Sequence, residues 1–109
     1  MSADRSGRVD LAVSPRARLR GLIGRHAPGE GPTLILAPCR SIHTIGMRFP
    51  IDVAFVSRGG RIVRSERAVT GGRFLRHKGA HLVVERYARP NDPWPAVGDR
   101  MTLRIDWME

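Results

Sequence analysis

Alternation of apolar and polar residues marks both ends of the chain. Val9, Leu11 and Val13 stand between Arg8, Asp10 and Ala12, the two-residue period of a short strand with one buried face. Near the C-terminus Met101, Leu103, Ile105 and Trp107 alternate with Thr102, Arg104 and Asp106, which predicts an antiparallel strand with one wet face. Between them, TLILA (residues 33–37) is apolar throughout and reads as a buried strand. The β-branched and aromatic run IDVAFVS (51–57) passes through Arg58, Gly59 and Gly60 into RIVRSERAV (61–69), the clearest hairpin in the chain. TGGRFLRHKGA (70–80) is a glycine-rich connection with a short strand around Phe74, and HLVVER (81–86) is a further strand.

One segment departs from the β pattern. In SPRARLRGLIGR (14–25), Ser14 can cap a helix and Pro15 suits its first turn, where a missing N–H costs nothing. Leu19, Leu22 and Ile23 form a narrow apolar stripe, and Gly24 can end the helix. HAPGEGP (26–32) is a loop by composition, and YARPNDPWPAVGDR (87–100) holds too many prolines for long regular structure. These elements predict a loose tail over residues 1–6 and one β-rich domain over residues 7–109. The expected architecture is a compact antiparallel sandwich or incomplete barrel, with the N-terminal helix covering an open end or edge.

Composition narrows the function classes. A chain of 109 residues can fold without staples, and a single cysteine, Cys39, excludes an internal disulfide and a multi-cysteine zinc site. No apolar run approaches the roughly 18 residues of a membrane span, and the charged N-terminus lacks the apolar core of a secretory signal, so a cytoplasmic protein is expected. The net charge is +9, and Lys78 is the only lysine among the 19 basic residues. Arginine is spread from Arg5 to Arg104, densest at Arg16, Arg18, Arg20 and Arg25, whereas nucleic-acid binders usually cluster their charge. A solvated basic surface that attracts anions is therefore preferred over a specific nucleic-acid site.

Candidate chemistry concentrates in CRSIHTIGMRFPIDVAFV (39–56). Cys39 and His43 suggest a thiolate–imidazole pair, but on a strand they lie about 13 Å apart, at roughly 3.3 Å per residue. Ile42, Thr44, Ile45 and Gly46 disfavour the helix that would make them neighbours. A buried cysteine acting as a small apolar side chain is the preferred reading, and Cys39→Ala is then expected to cost about 1 kcal/mol or more. His77 and His81 have an H-x₃-H spacing, but glycine between them speaks against the helix that this spacing needs for metal, and no cofactor is expected. Arg48 and Asp52 flank the expected core positions Phe49 and Ile51, so Asp52 must be paired or hydrogen-bonded. As a structural pair, Arg48 and Asp52 fix the turn at Pro50; as a functional one, they line a pocket with Ser41 and His43. Trp94, between prolines, either contacts a partner or pins its loop.

The stretch from Cys39 to Val63 resembles the signature of a family of small prokaryotic proteins known as domain of unknown function 192: a cysteine, S-I-H-T-x-G-M-R-F-P-I-D-V, an apolar strand and a glycine hairpin. RARLRGLIGR upstream, and HLVVE and VGDRM downstream, extend the resemblance from about Val9 to Ile105. It implies a small, mainly-β fold of jelly-roll kind and no particular activity. Relatives often follow the late strand with a short helix, which RYARPNDPWP replaces here.

Three functions follow as expectations. The first and preferred one is a non-catalytic binding or accessory domain, taking a small anion or a protein segment through Ser41, His43, Arg48 and Asp52. The second is an enzyme using Cys39 or His43 in a polar pocket. The third is a basic protein associated with nucleic acid.

Overall fold

A computed structural model describes residues 9–12 and 31–101 of the chain. The tail of residues 1–6, the helix expected over residues 14–25 and the strand expected to follow Met101 lie outside these residues.

Seven strands are described, and no helix occurs among them. They are β1 (Val9–Ala12), β2 (Thr33–Leu36), β3 (Ser41–His43), β4 (Ile51–Val56), β5 (Ile62–Val69), β6 (Phe74–Arg76) and β7 (Leu82–Tyr87). Five of them form one sheet in the order β1-β2-β7-β4-β5, and β3 pairs with β6 in a second, two-stranded sheet. The mainly-β expectation holds, and so does the β4–β5 hairpin. All the pairings are antiparallel except one: β1 runs parallel to β2, with Val9 opposite Thr33. A parallel pair requires a crossover of a dozen residues or more, and residues 13–32 supply that length. The five-stranded sheet is not closed, since β1 and β5 stand at its two ends.

The strand β4 shows why the sheet needs cover on both sides. Every residue of Ile51–Val56 is buried, as expected of a central strand whose two faces are both packed. Ile51, Val53 and Phe55 point into one cluster with Leu34, Leu36, Val83, Tyr87 and Leu75. Ala54 and Val56 point the other way, into a second cluster with Ile35, Ile62 and Val84. Leu75 of β6 and Ile42 of β3 belong to the first cluster, so the two-stranded sheet is laid over that face. Trp94 packs on the second cluster, and its indole N–H donates to the carbonyl of Val53 at 3.2 Å. The proline-rich loop is thus pinned by its tryptophan.

Candidate functional site

Asp52 sits in β4, directly across from Arg86 of β7 and on the face opposite Ile51 and Val53. Its side chain is 1% exposed. Arg86 Nε donates to its Oδ2 at 3.0 Å, and the Arg67 guanidinium approaches the same oxygen at 3.4 Å. The backbone N–H of Ala68 donates to Oδ1 at 3.1 Å, and that of Arg89 to Oδ2 at 3.3 Å. Ala68 has φ 53°, a left-handed backbone, at a register shift between β4 and β5. The bulge turns its N–H toward the carboxylate, as bulges re-aim backbone groups. Burial raises the Asp52 pKa, but the Ala68 N–H, Arg86, the Arg89 N–H and Arg67 together hold it below its ordinary value.

The same arginines anchor the following loop. Arg67 donates to the carbonyls of Arg89 and Asp92, each at 2.8 Å. Arg86 donates to the carbonyl of Pro93 at 3.2 Å, and its guanidinium lies 4.6 Å from the Trp94 ring centroid. Asp52 is therefore the hub that ties β4, β5 and β7 to residues 89–94. The sequence places Arg48 as its partner; the structure supplies Arg86 and Arg67 instead, because Arg86 is in cross-strand register while Arg48 lies exposed ahead of Pro50.

Ser41 and His43 lie elsewhere. In β3 the residues Ser41 and His43 are exposed while Ile42 turns inward, and in β6 Phe74 and Arg76 are exposed around buried Leu75. Ser41 pairs with Arg76 and His43 with Phe74, so these four side chains share the outward face of the small sheet. The His43 and Phe74 ring centroids are 5.9 Å apart and tilted by 51°. Phe74 is 74% exposed. The backbone N–H of Ile45 donates to His43 Nδ1 at 3.2 Å, which leaves Nε2 as the donor of the neutral ring. A packed core layer separates this face from Asp52, so the structure unites Ser41 with His43 but not with Asp52.

The thiol of Cys39 donates to the carbonyl of Ser41 at 3.1 Å. Cys39 and His43 each engage a nearby backbone group in place of the sulfur–nitrogen contact of a catalytic dyad. Cys39 is half-buried against the core rather than fully enclosed. Cys39→Ala is accordingly expected to lower stability by only about 1 kcal/mol in urea unfolding. His77 accepts the Gly79 N–H on Nδ1 at 3.0 Å within a turn. Among the described residues no three His, Cys, Asp or Glu side chains gather to hold a metal. A depression of about 160 Å³ lies between Val56, Ser57, Arg58, His81, Leu82 and Met101, and none of the outward-facing residues of β3 and β6 lines it.

Phe74 and Arg76 were not singled out by sequence patterning, yet a signal for them exists. No Asp or Glu occurs between Glu30 and Asp52, or between Glu66 and Glu85. These two acid-free stretches contain β3 and β6. They bring the exposed cations Arg40, Arg48, Arg73, Arg76 and Lys78 to the small sheet and the segments flanking it. Charge counted over the whole chain conceals this partition.

Residues 1–89 match the family model DUF192, described as an uncharacterized ACR. No curated protein matches the chain. Two solved structures resemble it. One is a protein of unknown function from Novosphingobium aromaticivorans, with 19% identity and a TM-score of 0.63, covering 75% of this chain and 63% of its own. The other, from Sinorhizobium meliloti, is described provisionally as a transcription regulator; it has 20% identity and a TM-score of 0.63, covering 73% of this chain and 67% of its own. At such identities the likeness concerns the fold. This chain spans about two thirds of the length of either protein.

Proposed function

The chain belongs to the DUF192 family of uncharacterised proteins, and from its geometry we propose that it is a non-catalytic binding domain for an anionic ligand. The contact surface is the outward face of β3 and β6, where Ser41 and His43 stand beside Arg76, with Arg48 on the flanking segment. One observation carries this reading: the exposed cations Arg40, Arg48, Arg73, Arg76 and Lys78 surround the exposed His43 in stretches without a carboxylate. Among the described residues Arg86 is neutralised by Asp52 at 3.0 Å, and Arg64, which donates to the carbonyl of Arg76 at 3.0 Å, is neutralised by Glu66 at 3.1 Å, whereas the side chain of Arg76 has no such carboxylate. On the β3–β6 face a bound anion supplies the missing partner, and Ser41 and His43 add further hydrogen-bond donors.

The face is suited to holding rather than transforming. The carboxylate of Asp52 is enclosed on the far side of a core layer and is occupied by structural donors. Among the described residues no acid is hydrogen-bonded to His43 to orient the ring, the arrangement usual in general-base catalysis.

Inorganic polyphosphate is a suitable probe, titrated calorimetrically at two salt concentrations. Affinity is expected to fall steeply between 50 and 200 mM NaCl, by roughly tenfold or more, as charge-dominated binding does. The double variant Arg73→Ala, Arg76→Ala should bind at least about tenfold more weakly while its stability stays within about 0.5 kcal/mol of the parent, because both side chains are exposed. Unchanged affinity in that variant, or no binding by the parent, would remove the proposal.

A further inference from the structure

We infer that the anionic ligand of this face is a single-stranded nucleic acid, one of whose bases stacks on Phe74. The inference rests on the reading of the β3–β6 face as an anion-binding surface and adds what charge alone does not explain. A free anion or an acidic peptide satisfies Arg40, Arg73 and Arg76 but has no use for a phenyl ring left 74% exposed. Phe74 opens β6 between the exposed cations Arg73 and Arg76, with the exposed Ile45 next to its partner His43. Its outward neighbours are His43 across the sheet and Arg76 two residues along the same strand.

That spacing matches the chemistry of a nucleotide. Residues two apart on a strand lie about 7 Å from each other on one face. A base on the Phe74 ring therefore brings a phosphate of the same or the next nucleotide within reach of the Arg76 guanidinium. The tilt of 51° sets the His43 ring beside the phenyl ring rather than flat on it, so the phenyl ring remains open to a base. His43 Nε2 can donate to a phosphate or sugar oxygen at the edge of the stack. An aromatic platform rimmed by arginine is the general means of gripping unpaired bases with little regard to sequence. A paired duplex keeps its bases stacked on each other and offers none to Phe74.

The test is fluorescence anisotropy of labelled oligo(U) and oligo(dU), about a dozen nucleotides long, against the whole chain. Polyphosphate and polyglutamate of matched charge serve as competitors. Both oligonucleotides should bind, duplex DNA at least about tenfold more weakly. Phe74→Ala should weaken oligonucleotide binding by roughly five- to a hundredfold and leave polyphosphate binding unchanged. Phe74→Trp should retain affinity and show quenched fluorescence on binding. Preference for oligo(U) over oligo(dU), or the reverse, supports the inference and identifies the sugar. Polyphosphate or polyglutamate competing as well as oligonucleotide, or an unaffected Phe74→Ala variant, overturns the stacking inference while leaving anion binding intact. Failure of every polyanion to bind overturns both.

Discussion

Replacing Asp52 with alanine is expected to destabilise the protein by about 3–5 kcal/mol, the cost of removing one partner from a buried ion pair. Arg86, itself buried, would keep its charge with only carbonyl oxygens and the Trp94 ring for company. The N–H groups of Ala68 and Arg89 would lose their acceptor, and the bulge with φ 53° at Ala68 would lose the bond that holds it. Against a typical stability of about 5–15 kcal/mol for a small domain, this is a large fraction. Urea unfolding with the linear extrapolation measures it. The pH dependence follows from the direction of the Asp52 shift. Its folded pKa lies below the ordinary value of 3.8, so the carboxylate's contribution is complete above that pH. It disappears as pH falls from 3.8 through the folded value. The stability gap between the parent and Asp52→Asn should therefore be constant near neutrality and close in acid. A gap that persists unchanged at low pH would show that the charge is not what the network needs.

Thr44→Val should cost about 1–3 kcal/mol although the two side chains have nearly the same shape. Thr44 is fully buried between the turn after β3 and the turn before β6. Its hydroxyl donates to the carbonyl of Thr70 at 2.7 Å and accepts from the N–H of Arg73 at 2.7 Å. Valine fills the same space but leaves both backbone groups without that partner, and a buried polar group left unsatisfied carries its desolvation cost. The two turns are fitted closely here: a Cβ on Gly71 would meet the Met47 carbonyl oxygen at 2.7 Å. The expected result is a lower urea midpoint with an unchanged slope. A midpoint equal to that of the parent would show that the hydroxyl is dispensable to the joint.

Much of the fold could be inferred from local pattern. The β4–β5 hairpin, the strands at residues 33–36 and 82–87 and the short strand at Phe74 all follow from apolar runs, alternation and glycine turns. The parallel pairing of β1 with β2 did not, because alternation reveals a strand but not its neighbour. Asp52 was legible as a buried carboxylate in need of partners. The identity of those partners depends on which strands become neighbours, and Arg86 is 34 residues away in the chain. Ser41 and His43 were recognised from a conspicuous motif, whereas Phe74 looked like an ordinary strand residue. Its exposure follows from the pairing of β6 with β3 in a two-stranded sheet of the described residues, at a register that turns Leu75 inward and Phe74 out.

In the proposed division of labour, Asp52 and Thr44 hold the molecule together and the outward face of β3 and β6 meets the ligand. Amide chemical-shift mapping during titration with oligo(U) tests it most directly. The account predicts changes concentrated in residues 40–48 and 72–78, with the amides around Asp52, Arg86 and Trp94 little affected. Changes centred on residues 86–94, or on the depression beside His81 and Met101, would contradict it.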